Sequence, residues 1–113
     1  MDAEKIEPRS DAWAQDYFTE AELRIAGAGP ERHRILTSMW SLKEAALKAL
    51  GTGLRFDLRD IEVSSLDEFG QATLLFHHDV AALLAQGPSG AIEARVEEQD
   101  GLVIATVLIR NKE

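Results

Sequence analysis

No glycine or proline interrupts the chain from Arg32 to Leu50, and Leu, Ala, Lys and Glu dominate the second half of that run. Such residues lose little side-chain freedom in a helix, so the run predicts one long helix, closed by Gly51. At 100° per residue, Ile35, Met39, Leu42, Ala46, Ala49 and Leu50 form an apolar stripe that should face a core. Thr37, Ser41, Glu44 and Lys48 fall on the opposite side. Glu44 stands four residues before Lys48, the spacing and order at which the two side chains meet. By pattern alone this is a solvated ion pair of little energetic weight. Lys43 lies at the edge of the stripe near Leu36 and Leu50, where its stem has to cross apolar surface to reach water.

The elements around this helix are short. Alternation along Met1 to Ile6 puts Asp2, Glu4 and Ile6 on one side of an extended segment. Carboxylate oxygens in that arrangement suit Mg²⁺, although two acids near a chain start are as readily just solvated. Asp11 to Phe18 reads as a helix entered through Ser10, with Trp13, Tyr17 and Phe18 packing as core. Thr19 and Glu22 make a capping box for a second short helix through Ile25, ended by Gly27, Gly29 and Pro30. Gly51-Thr52-Gly53 offers bare backbone amides to a phosphate, or else a helix stop and a turn.

Beyond it, Leu58 to Ser64 reads as a strand, Asp67 to Gly70 as a turn, and Ala72 to Phe76 as the returning strand. Asp79 to Ala85 has helical spacing and is closed by Gln86-Gly87-Pro88, with Ser89-Gly90 as a loop. Ile92, Ala94 and Val96 alternate with Glu93, Arg95 and Glu97, which suggests a strand near a sheet edge. Asp100-Gly101 is a hairpin turn, and the apolar run from Leu102 to Ile109 returns as a central strand. Together these predict a single α+β domain over residues 1–113, an antiparallel sheet from about Leu58 onward packed against the long helix. Neighbouring residues of an extended chain point opposite ways, so His77 and His78 do not share an ion and read as surface residues. His33 shows no partner.

Composition narrows the function classes. Twelve Lys and Arg against 20 Asp and Glu give a net charge of −8, which argues against broad binding to nucleic acid or an anionic membrane. A polyanionic ligand needs local help, from a divalent cation or from Arg24, Arg32, His33 and Arg34. Those four equally read as helix-end charges balancing Glu20, Glu22 and Glu31. The chain has no cysteine, so disulfides and thiolate metal sites are excluded and a reducing cytoplasm is the default. The longest apolar run is strand-sized, and no signal or spanning segment is visible.

Trp40-Ser41-Leu42-Lys43-Glu44-Ala45-Ala46-Leu47-Lys48-Ala49, followed by Gly51-Thr52-Gly53-Leu54, resembles the signature of the 4′-phosphopantetheinyl transferase superfamily. Asp2-Ala3-Glu4, Pro8 and Phe18-Thr19-Glu20-Ala21-Glu22 stand in the order found in the surfactin-synthetase-activating type. The resemblance implies an enzyme of the holo-acyl-carrier-protein synthase kind. It would move the 4′-phosphopantetheine arm of coenzyme A to a serine of an acyl or peptidyl carrier protein, releasing adenosine 3′,5′-bisphosphate. By the same resemblance Asp2, Glu4 and Glu44 hold Mg²⁺, Glu44 accepts the serine proton, and Lys48 stabilises charge on the reacting phosphate or leaving group. Lys43, Lys48, Gly51 and Gly53 would contact the coenzyme.

The chain resembles only the second half of the larger, two-half members, and lacks the nucleotide-gripping segment of the first. The smaller trimeric synthases match its length but carry a histidine-bearing strand where Ile92 to Val96 stand here. The expectation is therefore a site completed across an interface, with copies of the same chain or with a separate N-terminal half. A non-catalytic module that docks carrier proteins is the rival reading.

Overall fold

The computed structural model describes residues 1–51, 56–86 and 92–109. Its axis is the expected helix, α3 (Arg32–Leu50), which ends where Gly51 takes the left-handed conformation at φ 72°. Two short helices precede it. In α1 (Asp11–Tyr17) the Ser10 side chain accepts from the Trp13 N–H, and α2 (Glu20–Ala26) carries the full Thr19–Glu22 capping box.

Five antiparallel strands form one sheet in the order β1-β5-β4-β3-β2. They are β1 (Asp2–Lys5), β2 (Ile61–Leu66), β3 (Gln71–Phe76), β4 (Ile92–Gln99) and β5 (Leu102–Ile109). The N-terminal segment thus joins the sheet as an edge strand instead of lying outside it, pairing Asp2 with Ala105 and Glu4 with Val103. Leu58–Asp60 is a 3-10 turn capped by Asp57, so the second strand begins three residues later than its apolar pattern suggests. A further helix, α4 (His78–Gln86), buries Val80. The hairpin turn falls at Asp100 and Gly101, both at positive φ.

The sheet corrects one expectation. β4 is the middle strand, paired along its whole length with β5 and joined to β3 only at Gln71–Arg95 and Ala72–Ala94. Its alternation reports a face and not an edge: Ala94 points to the core, while Glu93, Arg95 and Glu97 share the helix-free face with Leu108.

Packing on several sides also changes the reading of α3. The apolar stripe touches the sheet, but α2 and β1 cover further parts of the circumference. Thr37 and Ser41, expected on the wet side, are therefore fully buried. Thr37 donates to the His33 carbonyl at 2.7 Å, which satisfies its hydroxyl without a tertiary partner. Ala49, assigned to the stripe, is exposed because it lies past the last covering strand.

Candidate active site

β1 places the acids. Residues paired across antiparallel strands share a face, so Asp2 and Glu4 follow Ala105 and Val103, both buried toward α3. Asp2 is only 6 % exposed. Its Oδ2 accepts from Ser41 Oγ at 2.8 Å and its Oδ1 accepts from Lys48 Nζ at 2.9 Å. Lys48 also reaches the Met1 carbonyl at 3.3 Å. The ammonium expected beside Glu44 has thus turned to Asp2, a shorter and more buried partner than its neighbour one helical turn away.

Glu4 and Glu44 belong to the same cluster. Burial raises the Glu4 carboxyl above its ordinary value, helped by Asp2 and then by Glu44, while the Trp40 indole opposes the shift. Burial likewise raises Glu44, with Asp2 adding to it and Lys48 opposing. Asp2 holds the Lys48 ammonium above the usual lysine range. Three acids therefore repel one another around a single lysine, a donor set of hard oxygens that a divalent cation would relieve. Among the described residues, no three acid or imidazole side chains close in on one point as a complete cage. Mg²⁺ is characteristically held by one or two carboxylates, with waters and substrate phosphates completing its shell. The residues present fit that mode of binding.

Lys43 is a correction. It is fully buried, and its three ammonium hydrogens go to Glu22 Oε1 at 2.8 Å, the Leu58 carbonyl at 2.8 Å and the Ile61 carbonyl at 2.7 Å. Nothing is left over for a coenzyme. Its stem runs inward and not out to water, because α2 and β2 close over that side of α3. Glu22, expected among the exposed balancing acids, is the buried counter-ion, and its other oxygen accepts from the Val63 N–H at 2.8 Å. A lysine on the rim of an apolar stripe was the sequence's sign of a buried acid.

The other expected contacts are mixed. The Gly51 N–H is spent on the Leu47 and Lys48 carbonyls that end α3, so it does not point at a ligand. Gly53, with Thr52, lies outside the described residues. Each member of the basic group is occupied. Arg24 pairs with Glu20, Arg32 with Asp11 and the Gly27 carbonyl, and Arg34 with Glu31 and Glu98. His33 accepts from the Arg9 N–H at 3.1 Å. His77 and His78 bond separately, to Glu62 and Asp60.

Beyond the acids, Trp40 stacks against Trp13 at 5.2 Å and Tyr17 at 5.1 Å. With Tyr17, Phe56 and Arg59 it lines a cleft of about 440 Å³. Trp40, which also hydrogen-bonds the Glu4 carboxyl, links this cleft to the acid cluster.

A family model of the 4′-phosphopantetheinyl transferase superfamily matches residues 1–107. This chain belongs to that superfamily. It is 31 % identical over 111 residues to a holo-[acyl-carrier-protein] synthase of Vibrio atlanticus, spanning 96 % of this chain and 87 % of that one. The holo-[acyl-carrier-protein] synthase structure of Thermotoga maritima superposes with a TM-score of 0.77 at 26 % identity. That match takes in 99 % of this chain and 62 % of the Thermotoga chain, so this protein spans less than two thirds of it. The ACPS-CoA complex of Chronobacterium ammoniagenes has the same fold, with a TM-score of 0.78 at 22 % identity, covering 99 % of this chain and 95 % of that one. Both the transferase class and the α+β architecture expected from the sequence are those of the superfamily.

Proposed function

We infer that this protein transfers the 4′-phosphopantetheine arm of coenzyme A to a serine hydroxyl of an acyl or peptidyl carrier protein. The observation that carries the reading is the position of Asp2. Edge strand β1 sets it between Ser41 and Lys48 and beside Glu4 and Glu44. In the transfer, the serine oxygen forms a bond to the phosphorus nearest the pantetheine. The bond from that phosphorus to the bridging oxygen breaks, and adenosine 3′,5′-bisphosphate leaves.

Glu44 is the base that accepts the serine proton. Its raised carboxyl is better matched to that task near neutral pH than an ordinary glutamate. Lys48 carries the positive charge facing the departing bisphosphate. Mg²⁺, held by one or two carboxylates drawn from Asp2, Glu4 and Glu44 together with the substrate's own oxygens, would screen the pyrophosphate charge and act as a Lewis acid. Lys43 and Gly51 are engaged within the fold, and the chain lacks the nucleotide-gripping segment of the two-half members, which favours a second polypeptide for that end of the coenzyme.

Self-association supplies that polypeptide most simply. Leu75, Leu102 and Leu108 are 46 %, 42 % and 49 % exposed and Phe69 is 80 % exposed, a surface that association would cover. A separate N-terminal half is the other source. No helix among the described residues is long and apolar enough to cross a membrane.

The deciding test is mass spectrometry of an apo acyl carrier protein incubated with this chain, coenzyme A and Mg²⁺. A pantetheinyl increment on the carrier supports the transferase. A carrier that binds the chain but gains no mass, under any partner combination, assigns a docking module instead. Solution molecular weight during turnover addresses assembly: a strictly monomeric species that transfers the arm refutes the shared site.

A further inference from the structure

A fully buried ion pair lies outside the acid cluster. Glu22 and Lys43 are both fully buried, and between them they gather groups from three elements. The Glu22 carboxylate accepts from the Thr19 N–H at 2.9 Å, the Val63 N–H at 2.8 Å and Lys43 Nζ at 2.8 Å. Lys43 adds the carbonyls of Leu58 and Ile61 and lies 5.1 Å from the Phe18 ring centroid. Every hydrogen of the ammonium is used, and the carboxylate spans α2, β2 and α3.

An ion pair sealed this completely is a poor way to gain stability, since a well-packed apolar pair of similar volume commonly serves as well or better. What it supplies is direction. Helix ridges packed only by alkyl groups can slide or rotate by small amounts, whereas an ion pair tied by four charge-assisted bonds to backbone groups holds one azimuth. Lys43 and Glu44 are consecutive residues of α3, about 100° apart around its axis, so fixing the direction of one fixes that of the other. With Lys43 drawn toward β2, Glu44 is rotated toward Asp2 and Glu4 on β1.

We propose that Glu22 and Lys43 are positioning residues: their buried pair fixes the rotation of α3 that points Glu44 at the acids of β1. The inference rests on the transferase reading above. It assigns neither residue a contact with substrate, and predicts that loss of the pair slows turnover without weakening coenzyme binding.

The test compares Glu22→Gln, the double variant Glu22→Gln/Lys43→Met, and Val80→Ala, a buried cavity variant on α4 that takes no part in these hydrogen bonds. Turnover is read by the mass of the carrier protein with Mg²⁺, and coenzyme A affinity by calorimetry without added divalent cation. The expected result is a kcat at least tenfold lower in both Glu22 variants, with the coenzyme Kd within threefold of wild type, while Val80→Ala keeps its kcat. The double variant, relieved of its unpaired charge, should regain melting temperature but not turnover.

A double variant whose kcat returns with its stability overturns the proposal, as does a Val80→Ala loss equal to that of Glu22→Gln. Failure of both Glu22 variants to fold assigns the pair to stability alone and also overturns it. If the wild-type chain, with every partner offered, leaves the carrier unmodified, the transferase reading fails first and this inference with it. An active wild type with unchanged Glu22 variants sinks the inference only.

Discussion

Lys48 Nζ bonds to Asp2 Oδ1 at 2.9 Å across 46 residues of sequence, joining the last turn of α3 to the edge strand. The two ends differ in accessibility. The Lys48 side chain is 58 % exposed and that of Asp2 only 7 %, so the aspartate is fixed and the lysine can swing. A substrate phosphate can therefore compete for the ammonium without disturbing the strand. Replacing Lys48 by Met should leave the fold intact and lower transfer about 100-fold, the scale expected when one group that stabilises developing charge is removed. Carrier-protein mass against time checks this, and unchanged turnover would remove Lys48 from the reaction.

Glu44→Gln should lower transfer by about 100-fold or more, the range a positioned general base contributes. Stability should move the other way. Burial and Asp2 raise the folded Glu44 carboxyl above its unfolded value near 4.5. Folded wild type thus holds a proton that the unfolded chain has released. Its contribution to stability is present below the unfolded value and is lost as pH rises through the raised one. Melting temperatures of variant and wild type should nearly coincide at about pH 4 and diverge in favour of the glutamine variant by about pH 7. A gap independent of pH contradicts this account of the cluster.

Glu62 titrates with the opposite sign. The Thr19 hydroxyl, donating at 2.6 Å, and then His77 hold its carboxyl below the ordinary 4.5. The stabilisation is present above that value and is lost as pH falls through the depressed one. Glu62→Gln should melt below wild type at neutral pH, and the difference should close in acid. A thermal series by circular dichroism reads both limits, and a difference that persists or grows in acid rules out this linkage.

Gly70 has φ 84°, and a Cβ there would stand 2.1 Å from the Val96 carbonyl oxygen. The same backbone contact carries a bond from the Val96 N–H to the Gly70 carbonyl at 2.8 Å, so the strand has little room to retreat. Gly70→Ala should destabilise by about 3 kcal/mol, combining a disfavoured backbone conformation with a backbone clash. Urea unfolding measures it. A loss below about 1 kcal/mol would mean that the turn relaxes easily.

Much of this architecture was legible because it is local. The span of α3, the Ser10 cap, the Thr19–Glu22 capping box and the Asp100-Gly101 turn depend on residues a few positions apart, and the sequence displays both partners of each bond. The run from Trp40 to Gly53 marked the superfamily for a related reason, since its functional residues sit at helical spacing on one segment. The misreadings came from distance. Glu22 is 21 residues from Lys43, and nothing near either residue shows that α2 will close over α3. Polar alternation in β4 looked like an edge because periodicity reports faces and says nothing about how many strands lie alongside.

Local hydrogen bonding and apolar spacing thus determined the elements and their ends, and the motif from Trp40 to Gly53 carried the family resemblance. Tertiary structure decided which charges meet. The pairing of β1 with β5 carried Asp2 and Glu4 to α3 and gave Lys48 a bonded partner in Asp2, while α2 and β2 buried Lys43. Burial decides whether an acid and a lysine form a rigid internal pair or a site open to substrate, and burial belongs to the assembled fold, not to any segment of it.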